Sequence, residues 1–314
     1  MYRHDSATQD YSPVILPGSS RGFLWGLIGV VAFSFTVPMT TVAVQGLPPL
    51  FVGVGRSMIA ALLAAAALAL TRQKLPTPRQ GLRLGIVAVG IVLGFPLFST
   101  YALTIVPASH GAVVIALLPA ATATVAVWRS KEKPGRKFWV AMSVGALCAL
   151  LFASLQSGSF GHLNGADFLL FGAVIAAAVG YAEGGMLARE LGAWQTVSWA
   201  LVLAFPWTTA LSLWATNFQV PEASASQWAA FGYLSVVSMF LGFFAWYRGL
   251  AIGPMAQVSQ TQLVQPVLTI TWAVLFLGDS LTWPTLLGGL AVVLSAGAAV
   301  RSRNKAGREK SVEG

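Results

Sequence analysis

The chain has 314 residues, of which only 9% are Asp, Glu, Lys or Arg while 56% are hydrophobic. A soluble protein carries about 25% charged residues to wet its surface, so an aqueous globular domain is excluded and a membrane protein is expected. The single cysteine, Cys148, excludes a disulfide framework and a cysteine-rich zinc site, and the net charge of +9 has to be located before nucleic acid is invoked.

In chain order, residues 1–21 are polar, with Arg3, His4, Asp5 and Asp10, and predict a short disordered tail. Ten apolar runs follow, each near the roughly 20 residues that cross a bilayer core as a helix. They are about Gly22–Val44, Leu50–Leu70, Leu82–Ile105, Ser109–Trp128, Phe138–Phe152, Phe168–Arg189, Gln195–Thr216, Gln227–Ala251, Met255–Gly278 and Pro284–Val300. Turn chemistry such as Pro48-Pro49, Pro76-Thr77-Pro78, Lys133-Pro134-Gly135 and Ser157-Gly158 separates them. No A-x-A-like site follows the first span, so no cleaved signal peptide is expected. The basic segment 301–314 reads as a second polar tail.

Cytoplasmic segments of membrane proteins carry an excess of Lys and Arg. With the N-terminus inside, the cytoplasmic segments and span ends collect 18 of the 19 basic residues, and the outer loops hold none. The exception, Arg56, falls within the second span. The positive charge is thus a topology signal that requires no nucleic acid, and both termini of a multi-pass membrane protein are expected in the cytoplasm.

The chain also repeats itself at an offset of 147 residues. Leu103–Val127 aligned on Leu250–Val274 matches at 8 of 25 positions, including Pro107 on Pro254 and Pro119 on Pro266. Two halves, 22–157 and 158–300, then hold five helices each. An odd number forces the second half into the membrane from the opposite side, and such inverted repeats typify secondary transporters with a substrate site between the halves. The expected fold is an all-α integral membrane protein of ten transmembrane helices in two inverted five-helix repeats.

Several short motifs strengthen this. Phe23-Leu24-Trp25-Gly26 opens the first span, and Gly55-Arg56 is followed by small residues in the second. Ala102-Leu103 precedes Pro107, Gly249-Leu250-Ala251 precedes a Gln-rich ninth span, and Leu277-Gly278-Asp279 leads to Leu281-Thr282 and Gly288-Gly289. Together they resemble the EamA family of the drug/metabolite transporter superfamily over roughly residues 22–300. The resemblance implies an exporter of small organic metabolites, amino acids or amphipathic drugs. It also implies a central cavity among spans 1, 3, 4, 6, 8 and 9, with spans 5 and 10 peripheral. Family members often carry a Lys toward the end of the first span, where this chain reads Pro38-Met39-Thr40-Thr41.

Ionisable groups at bilayer depth are costly and mark sites by default. Glu183, about 16 residues into the sixth span, is the first of them, as a proton-coupling or cation-binding carboxylate, an inner gate, or a structural ion pair. Arg248 is its expected partner, with Arg189 as competitor. Arg56 is expected to snorkel to the outer headgroups or cap loop carbonyls, the alternatives being attraction of an anionic substrate or pairing with Asp279. His110 is expected at the outer interface. In the ninth span Gln257, Ser259, Gln260, Thr261, Gln262, Gln265 and Thr269 need protein or water partners, and some must line a wet cavity. The cavity candidates are completed by Thr36, Met39, Phe95, Ser99, Tyr101, Tyr181, Trp246 and Tyr247. Pro38, Pro96, Pro119, Pro206 and Pro266 are the candidate hinges. This lining suits a neutral or zwitterionic small molecule with an apolar part.

Among competing classes, a membrane-embedded lipid-modifying enzyme needs a paired acid, a histidine cluster or an activated nucleophile. His4, His110 and His162 are scattered, and no two acids share a predicted span. A channel-like protein remains the other alternative. Neither a cofactor nor a metal is expected; the expected partners are a small-molecule substrate and the bilayer, with proton coupling as a candidate.

Overall fold

The structure is a computed structural model that describes residues 18–130, 164–252 and 258–294 except 285 and 292, with a few single positions between 136 and 148. Residues 1–17 of the predicted first tail, the second tail, Gln257, most of the fifth span and the end of the tenth lie outside the described residues, whereas residues 18–21 of the first tail already belong to a helix. Among the described residues six helices are long and apolar enough to cross a membrane, and two further apolar helices are shorter. All regular elements among the described residues are helical.

In chain order, α1 comprises Gly18–Ser34 and Thr36–Ala43, α2 is Pro49–Leu70, and α3 joins Pro78–Val87, a π-helical stretch Ala88–Gly94 and Phe95–Ala102. Helix α4 is split into Ala108–Ile115 and Leu118–Ser130; α5 is Gly165–Leu191 and α6 Ala193–Ala215. Helix α7 joins Ala225–Tyr233, a π-helical stretch Leu234–Leu241 and Gly242–Ile252, and α8 begins with a 3-10 turn, Ser259–Val264, continuing as Gln265–Leu277.

Several helices start earlier than hydropathy suggests because polar caps precede the apolar run. Thr77 N–H donates to Gln80 Oε1 at 2.9 Å while the Gln80 N–H returns to Thr77 Oγ1, a reciprocal cap that starts α3 at Pro78. Ser224 and Gln227 repeat it at the start of α7. The two caps lie 147 residues apart, and so, to within a residue, do the two π-helical stretches. The breaks in α4 and α8 obey the same offset, since the second pieces start at Leu118 and Gln265. The repeat seen in the residues is therefore also a repeat of caps, π-turns and breaks.

Packing exchanges equivalent helices between the halves. Helix α1 packs on α7 as α3 packs on α5, while α2 packs on α6 and α4 on α8. In lipid, burying one more leucine gains little, so close approach depends on small residues and interhelical hydrogen bonds. At the α3–α5 crossing a Cβ on Gly90 would stand 2.5 Å from the Ala176 carbonyl oxygen, and one on Gly180 2.5 Å from Ile91 Cγ2. Only glycine fits both positions.

Candidate site: a cavity between the two halves

The prolines set the polar character of the interior. Pro96 has no N–H for the Val92 carbonyl one turn earlier, and Pro38 leaves the Ser34 carbonyl in the same condition. Both are satisfied from other helices: Ser57 Oγ donates to Val92 O at 2.9 Å, and Thr269 Oγ1 donates to Ser34 O at 2.9 Å. Trp272 Nε1 donates to Ser34 Oγ at 3.0 Å. Irregular backbone at membrane depth is tolerated when protein covers it in this way, and here it surrounds a cavity.

That cavity lies between α1, α2, α3, α4, α5, α7 and α8 and holds about 480 Å³ of space between atoms. It is narrow, since only about 20 Å³ is open to the centre of a water molecule, room for one or two waters. Phe33, Phe95, Tyr181 and Phe243 supply aromatic walls, and Arg56, Thr36, Ser238 and Gln265 the polar groups. Thr36 Oγ1 and Ser238 Oγ share a hydrogen bond of 2.7 Å between the halves. A smaller pocket adjoins it through Val37, Leu118 and Gln265 and reaches Pro119, Pro266 and Gln262, where α4 and α8 are broken.

Arg56 differs from its expectation. It is 1% exposed, and its Nε and Nη2 are buried without a hydrogen-bond partner among the described residues. The side chain turns inward to the cavity rather than toward headgroups, because α2 presents this face to α3 and α7. Asp279 is engaged elsewhere, accepting from the Ser109 N–H at 3.0 Å at the start of α4.

Glu183 is 3% exposed, and Arg83 bridges it to Glu190 through Nε and Nη1. The expected partner Arg248 instead lies over the Trp25 ring, 5.3 Å from its centroid. The cap at Thr77 places Arg83 inside α3, one turn and a half from the start. Ala177 and Tyr181 line the cavity from α5, and Glu183 follows Tyr181 by two residues, so the Arg83 cluster lies beyond the cavity toward one membrane face.

At the opposite end His110 Nε2 lies 2.7 Å from Asp167 Oδ1, both side chains buried. His110, expected at the outer interface, is thus enclosed by protein in the first turn of α4. Asp167 Oδ2 also accepts the Asn164 N–H at 2.9 Å, which starts α5 at Gly165, before the predicted Phe168. Asp167 and Glu183 therefore share a helix, contrary to expectation, yet 16 residues at 1.5 Å each separate them by about 24 Å. They cannot act as a pair, and no metal-holding cluster occurs among the described residues.

Of the remaining candidates, the cavity gathers Thr36, Phe95, Tyr181 and Gln265. Met39 packs on a separate apolar cluster with Leu47, Phe51 and Phe231, and Ser99 Oγ donates back to Phe95 O at 2.6 Å. Tyr101 is 41% exposed on the outside of the bundle. Trp246 and Tyr247 are fully buried behind the wall: Trp246 lies 5.7 Å from the Tyr181 ring, and Tyr247 Oη donates to Gly180 O at 3.2 Å. Thr261 is buried against Gly26, Pro38 is buried within α1, and the Gln260 side chain is outside the described residues.

Residues 20–154 and 164–300 each match the EamA-like transporter family. The uncharacterized transporter YdeK of Bacillus subtilis (strain 168) is 38% identical over 283 residues, which are 90% of this chain and 98% of that protein. A crystal structure of a protein 18% identical in sequence superposes with a TM-score of 0.61, covering 91% of this chain and 99% of the other. That likeness is one of fold alone.

Proposed function

This chain belongs to the EamA-like transporter family, and from that premise we propose a secondary carrier that exports small organic metabolites, amino acids or amphipathic and aromatic compounds, by alternating access. As a member of that family it is a multi-pass membrane transporter and not an enzyme. The proposed topology is ten spans in two inverted halves, both termini in the cytoplasm and the chain in the bacterial inner membrane. The family resemblance supports the direction of export.

The observation that carries the reading is the cavity's position. It is lined by both halves, contains groups for polar and aromatic contact, and lies between polar clusters at opposite ends of the bundle. On the proposed orientation, the Arg83, Glu183 and Glu190 cluster is the cytoplasmic gate. The His110–Asp167 pair and the Asp279 contact to α4 form the periplasmic one. A rocking of one half on the other that parts one cluster and closes the other exposes the cavity to each side in turn. Because only a water or two fits at present, a substrate enters with a change in helix packing at the α4 and α8 breaks. Pro119 and Pro266 stand at those breaks as hinges.

Glu183 is the carboxylate through which protons would couple to transport. Flux of labelled solutes into liposomes holding the purified chain, with and without a pH gradient, tests both points. Solute accumulation that follows the gradient in the wild type and not in Glu183→Gln supports coupling at this group. The same pH dependence in both leaves Glu183 as a gate residue only.

A further inference from the structure

We propose that the cavity selects organic anions, a carboxylate on an aromatic or apolar body, with Arg56 as the group that binds the carboxylate. The proposal rests on the carrier reading and sharpens its substrate class. An isolated cation at bilayer depth is among the costliest groups a membrane protein can hold, and its usual remedy is a carboxylate within reach. No acid among the described residues lines the cavity. Among the acids nearer its ends, Glu183 is bridged by Arg83, Asp279 accepts the Ser109 amide, and Asp167 lies against His110. Two guanidinium nitrogens of Arg56 stay buried without a partner among the described residues.

A guanidinium offers a planar fork that matches the two oxygens of a carboxylate, so a bound acid satisfies both geometry and charge. Around it the walls are aromatic, which suits a flat apolar body. The ammonium of a zwitterion, in contrast, finds no carboxylate among the lining residues, and the hydroxyls of Thr36 and Ser238 are already bonded to each other. A second anchor is present in the adjoining pocket, where both amide atoms of Gln262 are buried without partners among the described residues. The site therefore favours a monoanion with a neutral polar group at its far end, in place of the neutral or zwitterionic solute that the residue types alone suggest.

The test uses the full-length chain in detergent and in liposomes, with 3-phenylpropanoate, L-phenylalanine, phenethylamine and chloride as probes. Wild-type protein is expected to be stabilised against heating by 3-phenylpropanoate at concentrations at least about tenfold lower than by phenethylamine or chloride. Arg56→Gln is expected to lose that difference, Arg56→Lys to keep part of it, and Arg56→Gln without ligand to unfold no earlier than wild type. An equal or stronger response to phenethylamine or to chloride overturns the proposal, as does an Arg56→Gln protein that still prefers the acid. Should that variant fail to fold, the wild-type ranking of acid against amine still decides. If the acid binds and no probe exchanges across liposomes, the carrier reading fails and the anion site stands; exchange of the amine in preference to the acid does the reverse.

Discussion

Glu183 and Arg83 show what a single pair does at the rim of such a bundle. Glu183 is almost wholly enclosed, whereas Arg83 and Glu190 are partly open to solvent, so removing Arg83 takes a charged partner from a buried carboxylate. Arg83→Ala is expected to lower stability by about 1.5–3 kcal/mol, the range for hydrogen bonds to charged groups, and Glu190→Gln by less than about 1 kcal/mol. Thermal unfolding of the two variants in detergent measures both, and equal losses would contradict the assignment of Glu183 as the enclosed partner. Glu183 itself was legible as an acid in an apolar run. Its partner was not, because the reciprocal cap of Thr77 and Gln80 lengthens α3 and draws Arg83 inside. Arg56 was legible as a charge within a span, but its inward turn to the cavity was not, since depth along a helix does not give the direction its side chain takes.

Among the helices, the broken and π-helical stretches depend on hydroxyls contributed by neighbours. Ser57→Ala leaves the Val92 carbonyl, already deprived of a donor by Pro96, without its interhelical bond. The expected loss is about 0.6–1.7 kcal/mol, and Thr269→Val at the Ser34 carbonyl should behave alike. Both are read as lowered unfolding midpoints with the helix content unchanged by circular dichroism. Gly90→Ala meets a backbone oxygen at 2.5 Å, so α3 and α5 must separate; the expected loss is about 1–3 kcal/mol, larger than for an alanine at the uncrowded Gly81. The prolines could be found by inspection, and the helix breaks beside Pro38, Pro119 and Pro266 follow from them. The π-helical stretches could not, because only Ala88–Gly94 is followed by a proline, and the other carries no residue that marks it.

For the molecule as a whole, the 147-residue offset was the most informative feature of the chain. It is visible as eight shared residues in one segment, and it reappears as matching caps, π-turns and breaks, and as an exchange of helix partners between the halves. Where the two halves meet, residue types gave the polar inventory but not the arrangement. The Gln-rich stretch contributes Gln265 and the adjoining Gln262, while Ser238 and the aromatic side chains of α1 and α7 complete a wall that no local pattern announces. The central claim is that this cavity is the moving site of a carrier and not a pore or an enzyme pocket. Counterflow tests it most directly: liposomes holding the purified chain are loaded with unlabelled 3-phenylpropanoate, diluted into a trace of the labelled compound, and followed over time. A carrier predicts a transient accumulation of label above equilibrium that empty liposomes do not show. Label that only approaches equilibrium, at a rate indifferent to the solute inside, would contradict the account.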